Sequence, residues 1–226
     1  MSRPSPDGLV PPGDSMTTGP IDPTAGESRT TRERILDAAE QVFAEKGLGA
    51  APVRDIAARV GLNPASLYNH FAGKEELYEA VLERGLTPVL EMLSDLMGGV
   101  RTRDREELAI DRVVLHFAAS PNLAKLIHYE TLAGGERLAR IAGRWFEPVY
   151  QRSIEVLHNS RAAELWSEED LPLLLLAFQN LIVGYFAMAP LVRQVFGFDP
   201  VSEEGIAKQT AFLHRVSRLL VPPRDE

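Results

Sequence analysis

Ala57 and Gly61, four residues apart, constrain this chain more than any other feature of its sequence. A small side chain at Ala57 lets two helices approach closely, and Gly61 tolerates the backbone of a tight turn. Before them, Pro52 suits the first turn of a short helix over 52–59, with Val53, Ile56, Ala57 and Val60 facing inward. After them, Asn63 followed by Pro64 reads as an N-cap plus a residue whose φ is preset for a helix over about 64–70. That second helix is too short to be stable alone. Ile56, Val60, Leu67 and Phe71 are the side chains that pin it to its neighbours.

The neighbours are legible too. Thr30 and Glu33 have capping-box spacing, and Ile35, Ala38, Ala39, Val42 and Phe43 recur on one helical face up to the stop at Gly47. A further helix starts near Lys74 with the stripe Leu77, Tyr78, Val81, Leu82 and Leu86, and Pro88 should kink or end it. Helical periodicity continues over about 105–118, 122–133, 136–158, 170–189 and 203–220. Breaks fall at Ser120-Pro121, Gly134-Gly135, Pro190 and Gly197 to Pro200. No alternating strand pair and no repeat stand out. The expected fold is all-α, with about nine helices.

Two short helices joined through Gly61 form a helix-turn-helix pattern. Packing Leu67 and Phe71 inward leaves Pro64, Ala65, Ser66 and Asn69 facing out. A short helix with small polar side chains at its start fits the DNA major groove, about 12 Å wide. Asn69 can pair bidentately with adenine, and Ser66 can serve either kind of base edge. Tyr68 and His70 suit phosphates, as does Lys74 beside the free N–H groups that begin the next helix. Arg54 and Asn63 complete the expected DNA-contacting set.

Total charge bears on that reading. The chain carries −8, which at first argues against nucleic acid. Between Arg29 and Lys74, however, stand seven basic and five acidic residues, a net of +2, which leaves −10 for the remainder. Distribution matters more than the sum. With no cysteine, disulfide frameworks, CxxC chemistry and thiolate metal sites are excluded. Residues 1–28 hold six prolines and four glycines with few large apolar side chains, the composition of a disordered arm. They lack the cationic start and apolar run of a secretory signal, and Met16 is an alternative start.

The run Val53–Leu77, with its Leu67-Tyr68-x-His70-Phe71 and Lys74 cluster, resembles the signature of the TetR family of regulators, and Thr31 through Gly47 matches in place and pattern. The resemblance covers about 30–85. It implies DNA bound by the second and third helices, a ligand in the middle of the C-terminal domain and dimerisation through the last two helices. One departure is Ala51-Pro52, where the family commonly has a capping Ser or Thr.

The expected organisation is a disordered arm at 1–28, a DNA-binding head at 29–86 with the motif at about 51–70, and an effector-binding and dimerisation domain at 87–226. Residues 171–192 hold no charge. Their length meets a membrane-span criterion, but Pro172, Gln179, Asn180, Gly184 and Pro190 interrupt them. A helix apolar on nearly all sides is buried between its own core and a partner, so a homodimer through about 170–189 and 203–220 is expected, with no membrane. Phe117, Leu126, Tyr129, Glu130, Trp145, Tyr150 and Phe178 are the candidates for an effector pocket. The histidines lack metal-ligand spacing, and neither a metal nor a cofactor is expected.

The expected protein is a cytoplasmic, ligand-responsive repressor that binds a near-palindromic operator as a homodimer and is not an enzyme. Two other readings stand beside it: a helical enzyme with a vestigial motif, and a protein using the motif for protein contacts.

Overall fold

The computed structural model describes residues 30–97 and 103–221. The arm expected over 1–28, with Met16, lies outside the described residues. From Thr31 onward the chain forms one unit, and among the described residues there are helices and no strands.

Four helices build the head. They are α1 (Thr31–Ala50), α2 (Val53–Arg59), α3 (Pro64–Tyr68) and α4 (Lys74–Met97). Ile35, Ala39, Val42 and Phe43 on α1 are fully buried against Ile56, Ala57, Leu67 and Phe71. Burying each of the large ones is worth about 1.5–3 kcal/mol. Phe43 also meets Tyr78 of α4 edge-on, ring centroids 5.1 Å apart. Outside that core, Arg84 on α4 forks onto Asp37 and Glu40 of α1, each at 2.7 Å.

The body consists of seven further helices. α5 spans Arg103–Ala119 and α6 Pro121–Ala133. α7 comprises Gly135–Ile141 and Glu147–His158 around a π-helical turn, Ala142–Phe146. α8 is Ala162–Leu165. α9 comprises Leu171–Gln179 and Tyr185–Ala187 around a second π-helical turn, Asn180–Gly184. α10 (Ala189–Phe196) and α11 (Glu203–Leu220) follow. Ser202 caps α11 by accepting from the Gly205 N–H.

Three expectations need amending. Of the two outcomes expected at Pro88, a kink or an end, the end does not occur, and α4 runs on to Met97. Proline forfeits one helical hydrogen bond and crowds the preceding turn, but here Leu86 and Val89 on either side of it are buried and hold the helix together. Pro190 does not break a helix but sits in the first turn of α10, where its missing N–H costs nothing. The break falls at Met188, and the two segments Leu171–Ala187 and Ala189–Phe196 are bent by 71°. Finally, α8 and α10 are additional to the nine helices anticipated. Among the described residues no single helix is long and apolar enough to cross a membrane.

The boundary expected at residue 86 falls inside α4. One hydrophobic cluster, running from Ile35 through Leu82, Leu86 and Val114 to Leu213, joins head to body.

Candidate DNA interface and effector cavity

The turn between α2 and α3 is built as its residue types dictate. Gly61 has φ 70°, and the Leu62 N–H closes the turn onto the Ala57 carbonyl at 2.9 Å. Asn63 is extended (φ −82°, ψ 157°), and its Oδ1 accepts from the Ser66 N–H at 2.7 Å. Pro64 occupies the first helical position. Leu67 and Phe71 are buried beneath, and the Arg32 guanidinium lies 4.9 Å over the Phe71 ring. A five-residue helix is thereby held from both ends and from below.

Its outer face is free. Asn63, Pro64, Ala65, Asn69 and His70 are exposed, Tyr68 is 51% exposed and Ser66 is half-buried. Arg54 on α2 is exposed on the same motif, 3.6 Å from Asp55. Asp55 itself is engaged by Lys46 at 2.6 Å, and that hydrogen bond holds its carboxyl below the ordinary value. At the start of α4, Lys74 Nζ donates to the Gly49 carbonyl at 3.2 Å. Just before α4, the Ala72 N–H donates to the Glu76 carboxylate. No side chain caps α2, where Pro52 stands at the N-cap.

Within the body lies a cavity of about 260 Å³ between α4, α5, α7 and α9. Of the aromatic candidates, Phe117, Tyr150 and Phe178 line it. The rest of the wall is mostly aliphatic, with Leu86 and Val89 from α4 and Ile127 from α6. Burial pushes the Tyr150 hydroxyl pKa up.

Leu126, Tyr129, Glu130 and Trp145 lie elsewhere. Leu126 is packed in the core and Tyr129 is 44% exposed on the far side of α6. Trp145 is buried in the core, with the Arg144 guanidinium 4.9 Å over its ring. Glu130 is 2% exposed, yet it faces the head and not the cavity: it accepts from Tyr78 Oη at 2.9 Å and Arg137 Nε at 2.8 Å. These four are not carried forward as cavity residues.

The π-helical turns bring further residues to the wall. Phe146 comes from the first π-helical turn, Ile182 and Val183 from the second, and Gln179 directly precedes the second. In the sequence, Gln179 stands out as a polar residue inside a long uncharged stretch. The carbonyl that the second turn exposes at Leu181 is met by Gln209 Nε2 of α11 at 2.6 Å.

A pinned short helix with a free outer face, mounted before a helical body that encloses an apolar cavity, is the construction of a helix-turn-helix regulator. Comparison with known proteins narrows this. Residues 35–81 match the family model for bacterial regulatory proteins of the tetR family. The transcriptional repressor KstR2 of Rhodococcus jostii is 44% identical over 86 residues, 38% of either chain. TtgW of Pseudomonas putida, itself an uncharacterized HTH-type transcriptional regulator, is 33% identical over 111 residues, covering 48% of this chain and 81% of the relative. Among solved structures, AibR in complex with isovaleryl coenzyme A and operator DNA superimposes with a TM-score of 0.65 at 19% identity, over 85% of this chain and 98% of AibR. The chain belongs to the tetR family of bacterial regulatory proteins.

Proposed function

We propose that this chain is a cytoplasmic, ligand-responsive repressor which binds a near-palindromic operator as a homodimer and has no enzymatic role. The observation that carries the reading is α3: inward side chains fully buried, outward ones bare. A rod so held loses little freedom on entering a groove, so its contacts are not offset by ordering entropy. Asn69 and Ser66 would read base edges, while Arg54, Tyr68, His70 and Lys74 would hold phosphates and set register. Pro64 and Ala65 add close apolar contact, and Asn63 shapes the helix start while facing the same way. Residues 29–86 serve as the DNA-binding head and 87–226 as the effector and dimerisation domain.

Dimerisation is supported by the apolar surface left at the C-terminal end. Leu173 and Leu176 on α9, Leu191, Val195 and Phe196 on α10, and Phe212 and Leu219 on α11 are all exposed in the single chain. Large apolar side chains left exposed in this number on three successive helices suit an interaction surface, and a two-fold axis would bury them on both subunits. The cavity is the natural effector site, and AibR, a fold neighbour, is known with both a small molecule and operator DNA. A ligand that binds one separation of the two heads better than another shifts DNA affinity by that difference.

Footprinting upstream of its own gene tests the reading. A protected near-palindrome with half-sites about 34–36 Å apart, and an affinity that falls steeply with salt, is the expected result. Absence of protection at moderate salt would sink it, and a salt-independent association would favour protein contacts instead.

A further inference from the structure

The effector cavity has a wall chemistry that limits what it can hold. Among the described residues that line it, Glu106 is the one charged group and none is cationic. The hydroxyls of Ser153 and Ser160 are turned back onto their own backbone, donating to Val149 and Leu157 carbonyls at 2.8 Å each. Gln179 differs. Its Oε1 is buried and has no hydrogen-bond partner among the described residues.

The backbone concentrates on the same place. Both π-helical turns deliver side chains to this wall, Phe146 from α7 and Ile182 with Val183 from α9. Such turns are uncommon and are frequently found at functional sites. Gln179 stands immediately before one of them.

An ionised group placed against an aliphatic wall without a counter-charge is strongly penalised. A buried amide oxygen left unpaired is also costly, and a ligand O–H relieves that cost. Building on the assignment of this cavity as the effector site, we infer that the effector it encloses is an uncharged, mostly hydrocarbon molecule bearing one hydroxyl, which donates to Gln179 Oε1.

The test uses the full chain and four probes of equal chain length: n-decanol, its methyl ether, decanoate and decanoyl-CoA. Binding is measured by calorimetry and by thermal shift. Decanol is expected to bind more than about tenfold tighter than decanoate or decanoyl-CoA, and about three- to tenfold tighter than the ether, the worth of one hydrogen bond. Gln179→Leu is expected to erase the alcohol–ether difference while the ether still binds, with Gln179→Met as a second neutral variant and circular dichroism as the folding check. Decanoate or decanoyl-CoA binding as tightly as decanol would overturn the inference. So would no binding by any probe, or an alcohol preference that survives both substitutions. The operator footprint, taken without any probe, separates the two claims. If the operator is protected but the probe series fails, only the effector class is wrong; if the series holds without protection, the regulatory reading fails alone.

Discussion

The hydroxyl of Tyr78 on α4 donates to the carboxylate of Glu130 on α6 across 2.9 Å, although 52 residues separate them in the chain. Arg137 of α7 holds the other carboxylate oxygen. Burial, followed by the nearby Glu130 charge, drives the Tyr78 pKa far above the ordinary tyrosine range. Three helices thus meet at one buried carboxylate, between the base of the DNA-reading head and the body.

That joint should be measurable. Tyr78→Phe leaves a buried acceptor unpaired and is expected to cost about 1–3 kcal/mol in urea unfolding. Arg137→Met strands the Glu130 charge and should cost more, near the low end of about 3–5 kcal/mol, because Arg137 is partly open to solvent. Adding Glu130→Gln to Arg137→Met should recover much of the loss. Unfolding curves unchanged by either single substitution would show that the joint does not support the fold.

On the DNA side, Tyr68→Ala and Lys74→Ala are predicted to weaken binding to every sequence alike, with Lys74→Ala lowering the log–log salt slope by about 1. Asn69→Ala should instead relax preference at one base position, at a cost of about 1–3 kcal/mol for the cognate site. Titrations on an operator library distinguish the two patterns. If Asn69→Ala alters neither affinity nor preference, another face of the motif reads the bases.

Dimerisation has its own handle. Leu173 and Phe196 are 62% and 70% exposed in the single chain. Replacing either with glutamate leaves the monomer's own core intact but places a charge in the proposed interface. Sedimentation should then show monomers where the parent shows dimers, with operator affinity falling in step. A dimer that persists through both changes would relocate the interface.

Gly205 is the tightest glycine of the fold. A Cβ there would stand 2.2 Å from the Asp199 carbonyl oxygen and 2.9 Å from Pro200 backbone atoms, none of which can swing aside. Gly205→Ala should therefore displace the start of α11 and lower stability by about 1–3 kcal/mol. The comparison is Gly184→Ala, whose added methyl meets nothing within 4 Å and which should unfold at the parent midpoint or above. Equal midpoints for both variants would contradict the packing described.

The loop before α11 should also respond to acid. The Asp199 carboxyl is held below its ordinary value, first by its hydrogen bond with Arg193 and then by the Val201 N–H. A carboxyl with a depressed folded pKa stabilises the fold at pH values above its unfolded pKa, and that contribution disappears as pH falls through the folded pKa. Asp199→Asn should therefore flatten the low-pH limb of the stability curve by lowering stability modestly at neutral pH while leaving the acid end little changed. An NMR titration placing the Asp199 midpoint at or above the ordinary value would refute this.

Local rules made the head readable. Gly61, Asn63-Pro64 and the Leu67 and Phe71 pair each act within a few residues, so the turn, the cap and the buried face of α3 followed from spacing. Glu130 shows where such reading stops. Its apolar neighbourhood in α6 pointed toward a ligand, but its partners are Tyr78 and Arg137, one of them 52 residues distant. The π-helical turns in α7 and α9 leave no mark in an i, i+3, i+4 pattern, so nothing in the sequence marks Ile182 and Val183 as cavity residues. At Pro190, one residue type signals both a helix end and a helix beginning, and only the surrounding packing decides.

The uninterrupted passage of α4 through Pro88 has a mechanical consequence. Its 24 residues make one helix about 36 Å long at 1.5 Å per residue. At Gly85, α4 crosses so near α6 that a Cβ would strike Leu123, and His116 Nε2 lies 2.7 Å from the Gly85 carbonyl oxygen. Leu86, Val89 and Leu93 press on one side of it, against the cavity, while Lys74 and Tyr78 ride on the other. Whatever displaces Leu93 therefore acts on the same helix that carries Lys74 and Tyr78.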